Sequence, residues 1–387
     1  MLDCAKIKYP VVFVHGMFGW GDNEGVNKSL PYWGATTGSI SQYLSDKGIQ
    51  CCCASVGPLS SAWDQACELY AQLKGTRVDY GEAHSRKHGH KRYGRTYEKP
   101  LFENLSSDKK VHLVGHSFGG NTIRLLAHLL KYGSPEERKE SGKAVSPLFI
   151  GGQENLVCSV TAICSPLNGT NAYETARRYK LIAPMKFFCY NYVTALSRTR
   201  LHGRFVDFHL EQFGVNDTPG EKDKKSFANA VKTLFASNDN IEYDMSEKGA
   251  AEINGIIKNV PEIYYFSYPY NCVEINATGK AVSRNVNFPL LKITCALMLR
   301  NARKNSNAAL QNDGLVDVFS AEHPANEPFT RFEQLGEIIP GVWNVMPVRS
   351  GDHGTPIGLF SPKDATHSFY DEIISVLSCA EKSVLPD

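Results

Sequence analysis

Gly115-His116-Ser117-Phe118-Gly119 sets a serine hydroxyl between two glycines at the spacing of a strained strand-to-helix elbow. The glycines let strand and helix close on each other while the serine takes an unusual backbone conformation. A serine hydroxyl becomes a useful nucleophile only beside an imidazole, which in turn needs a carboxylate to hold its tautomer. In this architecture the acid and then the histidine follow the serine along the chain. Asn312-Asp313-Gly314 offers Asp313 in a turn, and Asp317 follows in a short strand-like run as the second choice. Beyond Asp313 there are three histidines, His323, His353 and His367. His353 lies in the small-residue loop Ser350-Gly351-Asp352-His353-Gly354, which can present an imidazole at a sheet edge. His367 precedes an amphipathic stretch, Phe369 to Leu377, and reads as a solvated or capping residue. The expected triad is Ser117, Asp313 and His353. Charge developing on an attacked carbonyl oxygen would need fixed backbone donors, which nominates the amides of Met17 and Phe118.

A second cluster lies upstream. His84, His88 and His90 crowd into seven residues among Arg86, Lys87, Lys91, Arg92 and Arg95. As charge, this is a basic loop able to touch phosphate. As coordination chemistry, it is a set of imidazoles awaiting oxygen ligands from elsewhere, because the loop has no cysteine.

These residues need a frame. Val11 to Val14 is an apolar run suited to a strand buried on both faces, and it opens into the glycine-rich His15-Gly16-Met17-Phe18-Gly19-Trp20-Gly21. Val111 to Val114 repeats the pattern and ends at the elbow. From Asn121 to Tyr132, Ile123, Leu125, Leu126, Leu129 and Leu130 share a helical face, and Gly133 closes it. Cys158 to Cys164 and Ile263 to Phe266 add strands. The expectation is an α/β fold of mostly parallel strands flanked by helices. Two stretches depart from it. The Tyr-, Gly- and His-bearing stretch from Asp64 to Arg95, with Gly81 to Tyr97 lacking apolar periodicity, reads as a long surface insertion. Tyr173 to Leu201, interrupted by Pro184, is unusually apolar and fits either a core helix pair or a lid over an acyl-binding cleft.

Composition narrows the function classes. The 387 residues are 42% hydrophobic, enough for one large α/β domain with insertions or two ordinary domains. A formal charge of +2 removes the field expected of a dedicated nucleic-acid or anionic-membrane binder. The longest apolar stretch, near Leu290 to Leu299, is far below the roughly 20 residues that span a bilayer. The N-terminus has no signal-peptide profile, so the chain reads as intracellular or as beginning at a mature end. Asn27, Asn104, Asn168, Asn216 and Asn276 head sequons compatible with secretion. Of eleven cysteines, Cys51, Cys52 and Cys53 are consecutive in a strand-like run and cannot all face partners. Most are expected to be reduced and buried, the alternative being one or two disulfides, for example among Cys272, Cys295 and Cys379.

The glycine-rich loop, Val56-Gly57-Pro58-Leu59-Ser60-Ser61, Trp63-Asp64, Val78-Asp79-Tyr80-Gly81, His84 through His90, Gly94-Arg95-Thr96-Tyr97, the elbow and Asn312-Asp313-Gly314 occur in that order. Together they make the chain resemble the zinc-containing serine lipases of thermophilic bacilli and staphylococci, from Val11 to His353. The resemblance implies an α/β-hydrolase fold in one domain, 1–387. It implies insertions at 60–100, joined by zinc to 215–245, and at 170–205, the family's lid. It carries the zinc ligands to Asp64, His84, His90 and Asp239 and leaves His88 as a neighbour. It also implies an acylglycerol-type ester or lipid substrate, contact with a lipid–water interface, no nucleic-acid partner, and a place outside the cell. A polyester, phospholipid or short ester substrate and a silent binding protein on the same scaffold are the alternatives. The family's structural calcium relies on acids after the catalytic histidine. Here Gly354, Thr355, Pro356 and Ile357 come next, and no carboxylate appears until Asp364, which argues against calcium. Phe118 replaces the usual Gln or Met of the elbow, and the cysteines are many for that family, which marks a distant member.

Overall fold

The computed structural model describes residues 6–182, 184, 207–215, 224–305, 310–332 and 338–384. Seven parallel strands form its central sheet: β1 (Val11–Val14), β2 (Cys51–Ala54), β3 (Val111–His116), β4 (Val157–Ile163), β5 (Tyr264–Tyr268), β6 (Phe329–Arg331) and β7 (Trp343–Val345). Their spatial order is β6-β7-β5-β4-β3-β1-β2. With helices on both faces, this is an α/β-hydrolase sheet, as expected.

The alternation of side chains along β1 explains why it is apolar throughout. Val12 and Val14 point into one core cluster with helices α1 (Ala62–Lys74) and α2 (Gly119–Tyr132). Val11 and Phe13 point into the other, with the short helix Ile40–Asp46 and the C-terminal helix. A strand so placed has no solvent face on which to put a polar residue. The same alternation sends Cys52 to the first cluster and Cys51 and Cys53 to the second. All nine described cysteines are free thiols, and burial pushes Cys51 up to about 11, so the run is inert packing.

Four expectations change. The stretch from Asp64 to Arg95 is not wholly an insertion, because α1 occupies Ala62–Lys74 at the heart of the first cluster. Only the segment beyond α1 departs from the framework: an antiparallel pair, Arg77–Asp79 with Tyr93–Thr96, joined by the helix Glu82–His88. Asp317 lies not within a strand but at the N-cap of the helix Val318–Glu322. The C-terminal helix spans Lys363–Val384, so His367 lies inside it, stacked on Tyr43 at 3.7 Å between ring centroids. Cys379 belongs to that helix too, and Cys272 and Cys295 pack together elsewhere. The expected lid lies mostly outside the described residues, which include its first helix, α3 (Asn171–Arg178).

Candidate active site

Ser117 follows the last residue of β3 and sits at φ 56°, a conformation that L-residues adopt at a cost. The Ser117 amide donates to the Ile163 carbonyl on β4 at 2.8 Å, and helix α2 starts two residues later. The turn closes because Gly119 has no side chain: a Cβ there would lie 2.2 Å from the Val14 carbonyl oxygen. The hydroxyl is thereby raised at the C-terminal edge of the sheet, partly exposed, while Phe118 behind it is buried.

The other two expected partners meet. His353 Nδ1 lies 2.8 Å from Asp313 Oδ2, and the His353 amide donates to the Asp313 carbonyl at 2.8 Å. Asp313 Oδ1 accepts from the amides of Leu315 at 2.9 Å and Val316 at 2.7 Å, and the Cys164 thiol donates to the same carboxylate. With Asp313 Oδ2 facing Nδ1 of His353, the ring donates from Nδ1 and turns its Nε2 lone pair away from the acid. Asp352 fixes the histidine loop from the other side. Its carboxylate accepts from the amides of Asn287 at 2.6 Å, Phe288 at 2.9 Å and Gly354 at 3.1 Å.

Across the elbow, the loop after β1 folds against Ser117. A Cβ on Gly16 would stand 2.7 Å from the Ser117 Cβ and 3.1 Å from its Oγ. His15 locks the loop: Nδ1 donates to the Gly16 carbonyl at 2.9 Å and Nε2 accepts from the Val56 amide at 3.2 Å. The amides of Met17 and Phe118 have no intramolecular acceptor among the described residues. Gly16→Ala should therefore displace the hydroxyl and lower kcat about 100-fold, as misplacements near 1 Å do. Steady-state kinetics beside an unchanged circular dichroism spectrum checks this.

Sequence reasoning missed a pair of residues that ties these loops together. The Gly16 amide donates to the Tyr32 hydroxyl at 3.0 Å, and that hydroxyl lies 2.7 Å from His116 Nδ1. His116 Nε2 lies 2.9 Å from the His353 carbonyl. Burial pushes His116 well below its usual range, so it is neutral, and the carbonyl requires its proton on Nε2. Nδ1 must then accept, and Tyr32 donates. One phenol thus joins the β1 loop, the elbow and the histidine loop. Tyr32→Phe should lower kcat about tenfold at constant KM, the cost of unpairing buried groups, whereas an equal loss in stability alone would leave kcat intact.

The second expected cluster also converges. Asp64 lies in the first turn of α1, His84 lies on the helix Glu82–His88, His90 follows it, and Asp239 precedes the helix Ile241–Asp244. His84 Nε2 lies 3.3 Å from Asp64 Oδ1 and 3.2 Å from Asp239 Oδ1. His90 Nε2 lies 3.1 Å from Asp239 Oδ2, and one ligand atom from each of the four residues falls within 4.8 Å of the others. Asp64 Oδ1, Asp239 Oδ2 and both Nε2 atoms are buried without a hydrogen-bond partner. Two of the other polar atoms are turned away to partners of their own: Gln212 Nε2 donates to Asp64 Oδ2 at 3.0 Å, and His90 Nδ1 donates to the Lys91 carbonyl at 2.9 Å. Burial would strip the proton from His84, but Asp239 and Asp64 outweigh it and hold the imidazole up, to about 10. Two imidazoles and two buried carboxylates with unpartnered atoms facing one another make a donor set that fits a divalent cation. His88 stays beside the cluster, with its ring 4.6 Å from that of His84. A further group, His116, Cys164 and His353, also gathers ligand atoms within 4.8 Å. Both His116 nitrogens are already in hydrogen bonds, so no cation is needed there.

The family model described as "Lipase-like, C-terminal domain" matches residues 7–383. Lipase 1 of Staphylococcus aureus is 36% identical over 364 residues, which cover 91% of this chain and 51% of the relative. The chain thus spans about half the length of the curated relatives it matches. Among solved structures, Staphylococcus hyicus lipase superposes with a TM-score of 0.83 at 32% identity, covering 98% of both chains. Lipase 1 from Pelosinus fermentans superposes at 0.76 and 35%, covering 96% of this chain and 98% of its own.

Proposed function

Because the chain belongs to the lipase-like C-terminal domain family, we propose that it is a serine carboxylic-ester hydrolase of the staphylococcal lipase type, acting on acylglycerol-type esters. The hydrogen bond from His353 Nδ1 to buried Asp313, beside a serine in the strained elbow, carries this reading. Ser117 attacks the ester carbonyl as His353 Nε2 takes its proton. The oxyanion draws on the amides of Met17 and Phe118. His353 returns the proton to the leaving alcohol, and water, deprotonated by the same imidazole, then cleaves the acyl-enzyme. Asp313 stabilises the imidazolium throughout.

Residues 1–387 are read as one hydrolase domain, with the zinc-linked insertion after α1 joined to 215–245 and the lid at 170–205. Asp64, His84, His90 and Asp239 hold the zinc. Two histidines and two carboxylates would supply the four protein ligands a structural zinc takes, so the metal would brace the fold rather than activate water. Calcium stays doubtful: no carboxylate follows His353 until Asp364, and Asp352, the acid before it in the chain, has both oxygens in hydrogen bonds. Exposed Phe18, Leu290, Ile293 and Phe360 support contact with an apolar substrate or lipid surface. No helix among the described residues is long and apolar enough to cross a membrane.

A fluorophosphonate probe should label Ser117 and nothing else. A p-nitrophenyl ester chain-length series, repeated with emulsified triacylglycerol, should favour long chains. A preference for acetate would redirect the reading to a short-chain esterase, and absence of labelling would favour a silent binding protein.

A further inference from the structure

We propose that Cys272 and Cys295 are a disulfide-forming pair, and that its closure by a small disulfide oxidant clamps the turn carrying Asp313. The functional consequence rests on Asp313 being the triad acid. Cys272 lies between two short strands, Tyr270–Asn271 and Val273–Ile275, and Cys295 lies on helix α4 (Pro289–Asn305). Both are buried in a small apolar cluster with Val273, Ala281 and Leu299. Their sulfurs are 3.8 Å apart, with Cys272 donating. Bonding distance needs an approach of about 1.8 Å, within reach of side-chain rotation.

The pair brackets the acid turn on both sides. The Cys272 amide donates to the Asn312 carbonyl at 2.8 Å, immediately before Asp313. Beside Cys295, the Thr294 hydroxyl donates to the Gly314 carbonyl at 2.6 Å, immediately after it. A covalent bond between the two cysteines would therefore close a ring around Asn312-Asp313-Gly314. The donated hydrogen bond holds Cys295 below the usual thiol range, which favours it over Cys272 as the attacking sulfur.

With cystamine as oxidant, the Cys295 thiolate attacks one reagent sulfur and expels a cysteamine thiolate, which takes up a proton. Cys272 loses its proton, attacks Cys295 Sγ in the mixed disulfide and expels the second cysteamine. The two cysteines give up two electrons and two protons, and the reagent leaves as two thiols.

The reduced full chain is incubated with cystamine, alkylated, digested without reductant and mapped by mass spectrometry. The expected result is a Cys272–Cys295 linked peptide and a melting temperature about 4 °C above that of the reduced chain. Cys295→Ala should lack both while fluorophosphonate labelling of Ser117 persists. Recovery of the two cysteines as free thiols or separate cysteamine adducts overturns the pairing. A linked peptide without a rise in the melting temperature overturns the clamp. The peptide map does not read hydrolysis, so its failure is distinct from failure of the probe to label Ser117.

Discussion

Ser117→Ala is expected to leave a folded, zinc-bearing protein whose ester turnover has fallen by roughly 10⁴- to 10⁶-fold. The loss is large because the proposed mechanism passes through an acyl-enzyme on this hydroxyl, and no other described hydroxyl stands at the elbow to replace it. The fold survives because alanine keeps the Cβ and the main-chain hydrogen bond to Ile163, and the positive φ is already imposed by the packing of Gly119 on β1. The measurement is p-nitrophenyl ester hydrolysis beside circular dichroism and metal content. Turnover within tenfold of the native chain would sink the triad. Asp313→Asn should approach the same loss from the other end, about 10⁴-fold, by leaving His353 in the wrong tautomer for proton abstraction.

Asp239→Ala is expected to abolish zinc retention and to destabilise the chain by about 4 kcal/mol, lowering the melting temperature by about 5 °C for a chain this long. Asp239 bridges both imidazoles, at 3.2 Å to His84 and 3.1 Å to His90, and its removal leaves Asp64 buried with an incomplete partner set. Chelation of the native chain should reproduce the shift, and chelation of the variant should add nothing. Elemental analysis and thermal melts suffice. A native chain that purifies without zinc and melts unchanged in chelator would end the structural-metal reading.

The parts of the site legible in the sequence are those governed by local constraint. The elbow, the β1 loop and the Asn-Asp-Gly turn are short segments whose glycines and turn residues answer to close approach or backbone conformation, so their roles show in a few letters. Strand β1 is legible to its ends because both faces are buried. The hidden parts depend on partners far along the chain. Tyr32 reaches His116 across 84 residues, and His116 reaches the His353 carbonyl across 237. Neither bond leaves a local pattern. Helix α1 reads as surface for a related reason. Its buried Gln65, Glu68 and Gln72 break the apolar periodicity, yet each is satisfied by the chain beside it: Gln65 donates to the Gly57 carbonyl, Glu68 accepts from the Gly57 amide, and Gln72 donates to the Ser55 carbonyl. The polar stripe that looks like surface is a seam that fixes the segment after β2. The four residues proposed to hold zinc came from the family resemblance, since spacing alone could not supply the distant Asp239.

The four orphaned groups of the metal cluster come from positions 64, 84, 90 and 239. A ribosome delivers these in order, with β3, the elbow, α2 and β4 emerging between the third and the fourth. The nascent chain can therefore fold much of its sheet while Asp64, His84 and His90 still lack the carboxylate that draws them together. Assembly of the four-residue cluster is a late event in the life of the chain. The hairpin Arg77–Thr96, whose helix carries His84, is then the flank whose docking waits for Asp239.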